Sequence, residues 1–417
     1  MLREPLLLNK TLVVVVERPI RVAVREVAAQ GKEDTMPYLG TLFLSFLRLG
    51  LTAFGGPVMV AYIEELSVKR NKWLDGETFK NGVALCQSIP GATAMQTAAY
   101  VGLRARGIPG ALLSYIGFGL PAFILMLVLS SLYVAASGLP WIMSLFNGLQ
   151  VIVVAIVANA TYSFGRGALK GYRDIGIAAA SAVAFWLGVS PFYVIVGAAI
   201  AGIVLMKVQA SPGVQSIDQL NPITVKHILI LFLVIFTGVT CLYFANKKLF
   251  ELSLLMFKID LFAFGGGFSS LPLMLQEVVN TRSWMDSKTF MDGIALGQVT
   301  PGPIVITATF IGYLLYGFFG ALVATVAIFT PSFALLLVGT LFFDKLRGSQ
   351  LFARAVKGIL VSFVGLLFYV TIKFAFAVPW DIIRVLVVAA SFIALLKKID
   401  IIYIVLIGAT VSILLFR

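Results

Sequence analysis

Apolar residues run through this chain in long stretches, punctuated by short clusters of glycine, proline and basic residues. Ile175 to Met206 and Leu314 to Phe343 carry no charge, and Leu103 to Ser137 carries only Arg104 and Arg106. A helix needs about 20 such residues to cross a bilayer. The pattern predicts helices over roughly 39–66, 78–103, 108–134, 140–163, 174–188 and 190–207, then one over about 225–246. A further set follows over roughly 250–276, 288–315, 318–343, 352–377, 381–396 and 399–416. The fold class this predicts is an all-α polytopic membrane protein with about 13 transmembrane helices.

One patterned segment occurs twice. Ala53–Pro57 (AFGGP), Trp73–Phe79 (WLDGETF) and Ala84–Ala92 (ALCQSIPGA) return as Ala263–Gly267 (AFGGG), Trp284–Phe290 (WMDSKTF) and Ala295–Pro303 (ALGQVTPGP). Phe54 and Phe264 are 210 apart, Gln87 and Gln298 are 211 apart, and Pro121 and Pro331 are again 210 apart. The chain therefore divides into an N-terminal arm over 1–37, a first repeat over 38–208, a linker with a connecting helix over 209–249, and a second repeat over 250–417. Equivalent helices stand seven apart in this list. If every element crosses once, an odd interval inverts one half against the other, the plan of many secondary transporters. The same premise puts the Trp73 loop outside, the Trp284 loop inside and the C-terminus outside.

Composition sharpens this. Hydrophobic residues make up 60% of the 417 and charged ones 12%, with mean hydropathy +0.99. Soluble domains are about 45–50% apolar and about 25% charged, so lipid must cover much of this surface. The net charge of +13 would suggest nucleic acid in a soluble protein. Here the basic residues fall in short loops and read as topology determinants, and no nucleic-acid partner is expected. With the N-terminus inside, the expected loops place 21 Lys and Arg inside against 9 outside, although Lys69, Arg70, Lys72 and Lys80 fall on the wrong side. His227 is the sole histidine, and Cys86 and Cys241 both lie in apolar runs. No metal site, cofactor or hydrolytic triad is expected, and so no enzyme. The first apolar run, Leu12–Val16, is too short for the core of a cleaved leader.

Candidate chemistry sits at the breaks. Ser88-Ile89-Pro90-Gly91 and Thr300-Pro301-Gly302-Pro303 interrupt their helices about twelve residues in, roughly 18 Å along the axis. A helix restarting there points backbone N–H groups and a positive dipole end at the interior. A structural kink is the alternative reading. Gly55, Gly56, Gly265 and Gly266 permit close approach of a ligand or of another helix, and both readings stay open. Arg48 and Lys258 are repeat equivalents, each roughly 12–14 Å into its helix. Cations at such depth are functional by default, and two of them converging on a pseudo-two-fold axis would suit a doubly charged oxyanion. Gln87, Gln298 and Thr300 would add neutral donors. Asp260 would neutralise one of the cations or carry a coupling proton.

The segment FGGP…W…F…PG over 54–91, and the fuller F-K-x-D-x-x-x-FGGG…PLxxxEVV…W…F…ALGQxTPGPxxxxATFxG…G…GA over 257–321, resemble the chromate ion transporter family. The match spans both halves and departs from the family pattern at Val60 and Ala92. The resemblance implies export of chromate, with sulfate as a dianion of similar shape. A carrier or channel for another small anion on the same scaffold is the alternative. The expected partners are the oxyanion and the lipid of a cell membrane, the chain being multi-pass with a cytoplasmic N-terminus; a homodimer is a further expectation.

Overall fold

A computed structural model describes residues 37–54, 56–136, 138–207 and 225–415, and every regular element among them is helical. The helices are α1 (Leu39–Thr52), α2 (Gly56–Glu64), α3 (Gly76–Ser88), α4 (Thr93–Ala136), α5 (Pro140–Ala168), α6 (Tyr172–Trp186) and α7 (Pro191–Leu205). After α8 (Val225–Ala245) come α9 (Lys247–Phe262), α10 (Ser270–Met274), α11 (Ser287–Val299), α12 (Thr307–Gly348), α13 (Gln350–Ala377), α14 (Ile382–Leu396) and α15 (Ile401–Leu415). The second set repeats the first. Both α2 and α10 run on into a wider turn, Glu65–Arg70 and Leu275–Thr281.

The runs expected as single crossings are hairpins, and this corrects the predicted topology. Tyr100 lays its ring over Gly82 and donates its hydroxyl to the Thr78 carbonyl at 3.3 Å. A straight helix would hold residues 78 and 100 about 33 Å apart, so α3 and the start of α4 lie side by side with Ile89–Ala92 at the tip. Phe310 covers Gly293 in the same way in the second half. The first pair of helices also folds back. Phe46 and Trp73 rings stand 6.4 Å apart, and Lys258 reaches Glu277 at 3.6 Å. Nineteen helical residues would span about 28 Å.

α4 reverses once more. Its backbone leaves helical geometry at Arg106 and Gly107 (φ 66°), and a Cβ on Gly102 would overlap the Gly110 carbonyl. Only glycine allows limbs to pack this closely. α12 does the same at Tyr316 and Gly317 (φ 60°), with Gly312 against Gly320.

These reversals fix the faces. Arg106 donates to the Pro37 carbonyl at 2.9 Å, so the α3–α4 hairpin returns to the face where α1 begins, here the near face. The Trp73 loop lies there too, not on the face opposite the N-terminal arm as the single-crossing premise required. The far limb of α4 crosses, and α5 returns to the near face at Lys170. In the second half, Ser287 shares a small cleft with Lys373 and Phe376 at the end of α13, on the far face. The two halves are therefore inverted, with the Trp73 and Trp284 loops on opposite faces. Lys69, Arg70, Lys72 and Lys80, which dissented from the charge count, move to the near face.

Five helices are individually long and apolar enough to cross: Thr93–Ala136, Pro140–Ala168, Lys226–Ala245, Ile304–Phe342 and Gln350–Ala377. The expected count of about 13 crossings is not confirmed. Much of the remainder is half-length helix, about 20 Å long, whose tips meet in the middle of the molecule.

Loop chemistry sets the hairpin starts. Asp75 caps α3 by accepting from Thr78 N and Glu77 N, and Asp286 caps α11 by accepting from Thr289 N. Thr78 holds the Asp75 carboxyl below its ordinary pKa. The pseudo-two-fold axis is visible in atoms. Thr161 and Thr371, equivalents 210 apart, share a hydrogen bond of 3.1 Å where α5 and α13 pass.

Candidate functional site

The four hairpin tips interlock across that axis. Gly91 N–H donates to the Ala263 carbonyl at 2.9 Å, and Gly302 N–H donates to the Ala53 carbonyl at 3.0 Å. These bonds are exact repeat mates, each joining a proline-glycine tip of one half to the first tip of the other. Gly91 and Gly302 have φ of 116° and 117°, a region side chains rarely enter.

Beside this junction lies a cavity of about 1230 Å³. Its wall includes Gln87, Gln298, Thr300, Gly302, Gly265 and Gly266, all singled out by sequence. Gly265 and Gly266 hold φ of 90° and 98°. Their bare backbone lies where Cβ atoms would press on Leu360 and approach Thr93. The Gln298 amide nitrogen is buried without a hydrogen-bond partner among the described residues. Thr300 spends its hydroxyl on the Leu296 carbonyl at 2.8 Å. The opening turn of α4, Thr93 and Ala94, also lines the space, and first-turn N–H groups have no helical acceptor.

Three lysines that sequence reasoning had spent on topology also line the cavity: Lys170 after α5, Lys207 after α7 and Lys357 early in α13. All stand at helix ends on the near face, and Lys170 and Lys207 are exposed. The cavity therefore opens there. Asp174 positions the mouth. Its buried carboxylate accepts from Lys170 N at 2.9 Å and pairs with Lys357 Nζ at 3.4 Å. Glu64 is the acidic residue of the wall. Clustering of basic residues at the ends of consecutive inner helices was the signal available in the sequence.

The remaining sequence candidates lie elsewhere. Gly91 is outside the cavity wall, and a Cβ there would overlap the Ser332 hydroxyl. Gly56 opens α2, and Gly55 lies outside the described residues. Arg48 is exposed on α1 and not part of the wall. Lys258 is 46% exposed, pairs with Glu277 and sits 3.6 Å from the Phe192 ring centre. The structure does not bring these two cations into the cavity. Asp260 forms no ion pair with either. It is fully buried, and one carboxylate oxygen accepts from Ser332 N at 2.8 Å and Ser332 Oγ at 2.6 Å. Ser332 Oγ in turn accepts from Ala92 N at 3.0 Å, so Asp260 braces the first-half tip through α12.

Comparison with known proteins bears on this arrangement. A family model described as chromate transporter matches residues 40–203 and 250–413, one match per repeat. An uncharacterized transporter of Methanocaldococcus jannaschii, MJ0718, is 44% identical over 92% of this chain and 98% of its own length. The chromate transport protein of Cupriavidus metallidurans is 30% identical over 82% of this chain and 84% of its own. A probable chromate transport protein of Synechococcus elongatus is 29% identical, over 77% and 80%. No solved structure matches.

Proposed function

Because the chain belongs to the chromate transporter family, we propose that it is a secondary active carrier exporting a small tetrahedral oxyanion, chromate in the first instance. The relatives named as chromate transport proteins support the substrate. The observation that carries the mechanism is the cavity at the junction of two inverted halves, with neutral donors at its depth and lysines at its mouth.

The parts divide the work by physics. Lys170, Lys207 and Lys357 outnumber Glu64 in the wall and draw a dianion from the near face, since an excess of one sign of charge at a cleft raises encounter rates. The depth of the cavity offers amide N–H of Gln87 and Gln298 and glycine backbone at the hairpin tips. Neutral donors suit a carrier, because a site must release its cargo after loading it. The basic residues of the near face make that face the cytoplasmic one, so the cavity as described faces the cytoplasm and export begins there.

The test is flux into proteoliposomes of known orientation, with chromate, sulfate and phosphate compared. Saturable chromate flux, inhibited by sulfate and accelerated by anion on the opposite side, is expected. Flux that never saturates, or the absence of chromate flux alongside another anion's, would overturn the reading.

A further inference from the structure

The two halves share a sequence plan but differ in packing. On the near face, Ala84 of α3 and Leu360 of α13 both line the open cavity, with Phe164 of α5 beside them. Their repeat mates, Ala295 of α11, Gln150 of α5 and Phe374 of α13, are shut in at 2%, 4% and 0% exposure. There α11 packs directly on α5. Inverted repeats that hold different conformations can exchange them, which turns the molecule to its other face around a fixed site.

Resting on the carrier reading above, we propose that the anion leaves by a second mouth on the far face, between α5 and α11. Asp292 is the latch that keeps this mouth shut in the present state.

The latch is specific. Asp292 is 5% exposed and joins three helices. Its Oδ1 accepts from Gln150 Nε2 of α5 at 2.8 Å, and its Oδ2 accepts from Tyr133 OH of α4 at 2.9 Å. Tyr133 also stacks edge-on against Phe146 at 4.9 Å and Phe310 at 5.1 Å, closing the same seam. The mates of Gln150 and Asp292 are Leu360 and Asn81, so the equivalent positions at the near mouth carry no carboxylate. Where the near mouth has Lys357, the far mouth has Asn147. An anion passing outward therefore leaves Lys357 behind and meets Asn147 and the Asp292 carboxylate, with Lys288 one turn from Asp292 on α11.

The test reads access rather than transport. In a chain with Cys86→Ser and Cys241→Ser, Lys357→Cys and Asn147→Cys are introduced one at a time. A membrane-impermeant maleimide is applied to each face of oriented proteoliposomes with no anion present. Lys357→Cys should react from the near face, and Asn147→Cys slowly from the far face. Adding Tyr133→Phe, or Gln150→Leu to copy the other half, should raise far-face labelling of Asn147→Cys at least fivefold and lower near-face labelling of Lys357→Cys. Both changes nearly conserve shape, and size-exclusion profiles report folding. Labelling of Asn147→Cys that stays unchanged in both folded variants, or that comes from the near face, would overturn the second mouth. Reciprocal labelling without chromate flux would uphold the mouth and overturn the substrate reading instead.

Discussion

Gly91 and Gly302 show how much at the centre rests on single residues. Their N–H groups tie one half to the other, and their positive φ angles exclude most side chains. A Cβ at 302 would also sit 2.8 Å from that of Ala122, and one at 91 would overlap the Ser332 hydroxyl. Strained backbone of this kind costs about 1–3 kcal/mol. Gly91→Ala and Gly302→Ala should both lower the melting temperature in detergent, with Gly91→Ala lowering it more. An unchanged melting temperature in Gly91→Ala would show that the junction is not tight.

Gln298 belongs to the same scale but acts on the cargo. Its buried amide nitrogen has no described partner, and an unmade buried hydrogen bond costs about 1–3 kcal/mol. An anion oxygen can satisfy it. Gln298→Leu should raise the half-saturating anion concentration roughly tenfold, and Gln298→Glu should raise it further because charge now repels charge. Equal effects of the two would point to shape alone. The sequence made both glutamines legible because they recur in the repeat beside a glycine-proline break. It hid the three lysines, since a basic residue after an apolar run reads equally as a topology signal.

At the scale of elements, the breaks were legible but the folding back was not. A single crossing and a hairpin of two half-helices have the same composition and the same periodicity of apolar residues. What separates them is long-range, such as Tyr100 reaching Thr78 and Gly102 meeting Gly110. The distance of Arg48 and Lys258 along their helices survives the folding back, but their convergence does not: Arg48 is exposed, Lys258 pairs with Glu277, and neither lines the cavity.

The caps at the hairpin starts are local chemistry, and Asp75 gives a prediction with a sign. Its carboxyl is held below the ordinary value by Thr78. A group with a lowered folded pKa stabilises fully above its unfolded value and loses that contribution as pH falls through the folded one. Asp75→Ala should cost about 1 kcal/mol at neutral pH. The gap in melting temperature between it and the natural protein should close as pH drops below the ordinary carboxylate range. A gap that persists in acid would place the effect elsewhere than the charged cap.

For the whole molecule, inversion followed from the sequence while the side assigned to each loop did not. The odd interval between repeats required opposite faces for the Trp73 and Trp284 loops, and hairpins in both halves preserve that parity while exchanging the sides. Charge still favours this face, because Lys69, Arg70, Lys72 and Lys80 join Pro37 and Arg106 there while only Arg282 and Lys288 leave with the Trp284 loop. Lys72 and Ser283 mark the two loops, 211 apart, both exposed and both at positive φ of 52° and 50°. Cysteines placed at these positions, again without Cys86 and Cys241, should react with an impermeant reagent from opposite faces. Lys72→Cys should share its face with Gly107→Cys, the reversal of α4. On the charge argument that face is the cytoplasmic one, so in intact cells only Ser283→Cys should label. The single-crossing alternative makes the reverse forecast, with Lys72→Cys outside and both Gly107→Cys and Ser283→Cys inside. Labelling of Lys72→Cys in intact cells would restore that alternative. Labelling of both loops from one face would remove the inversion, and with it the symmetry that places a carrier site between the halves.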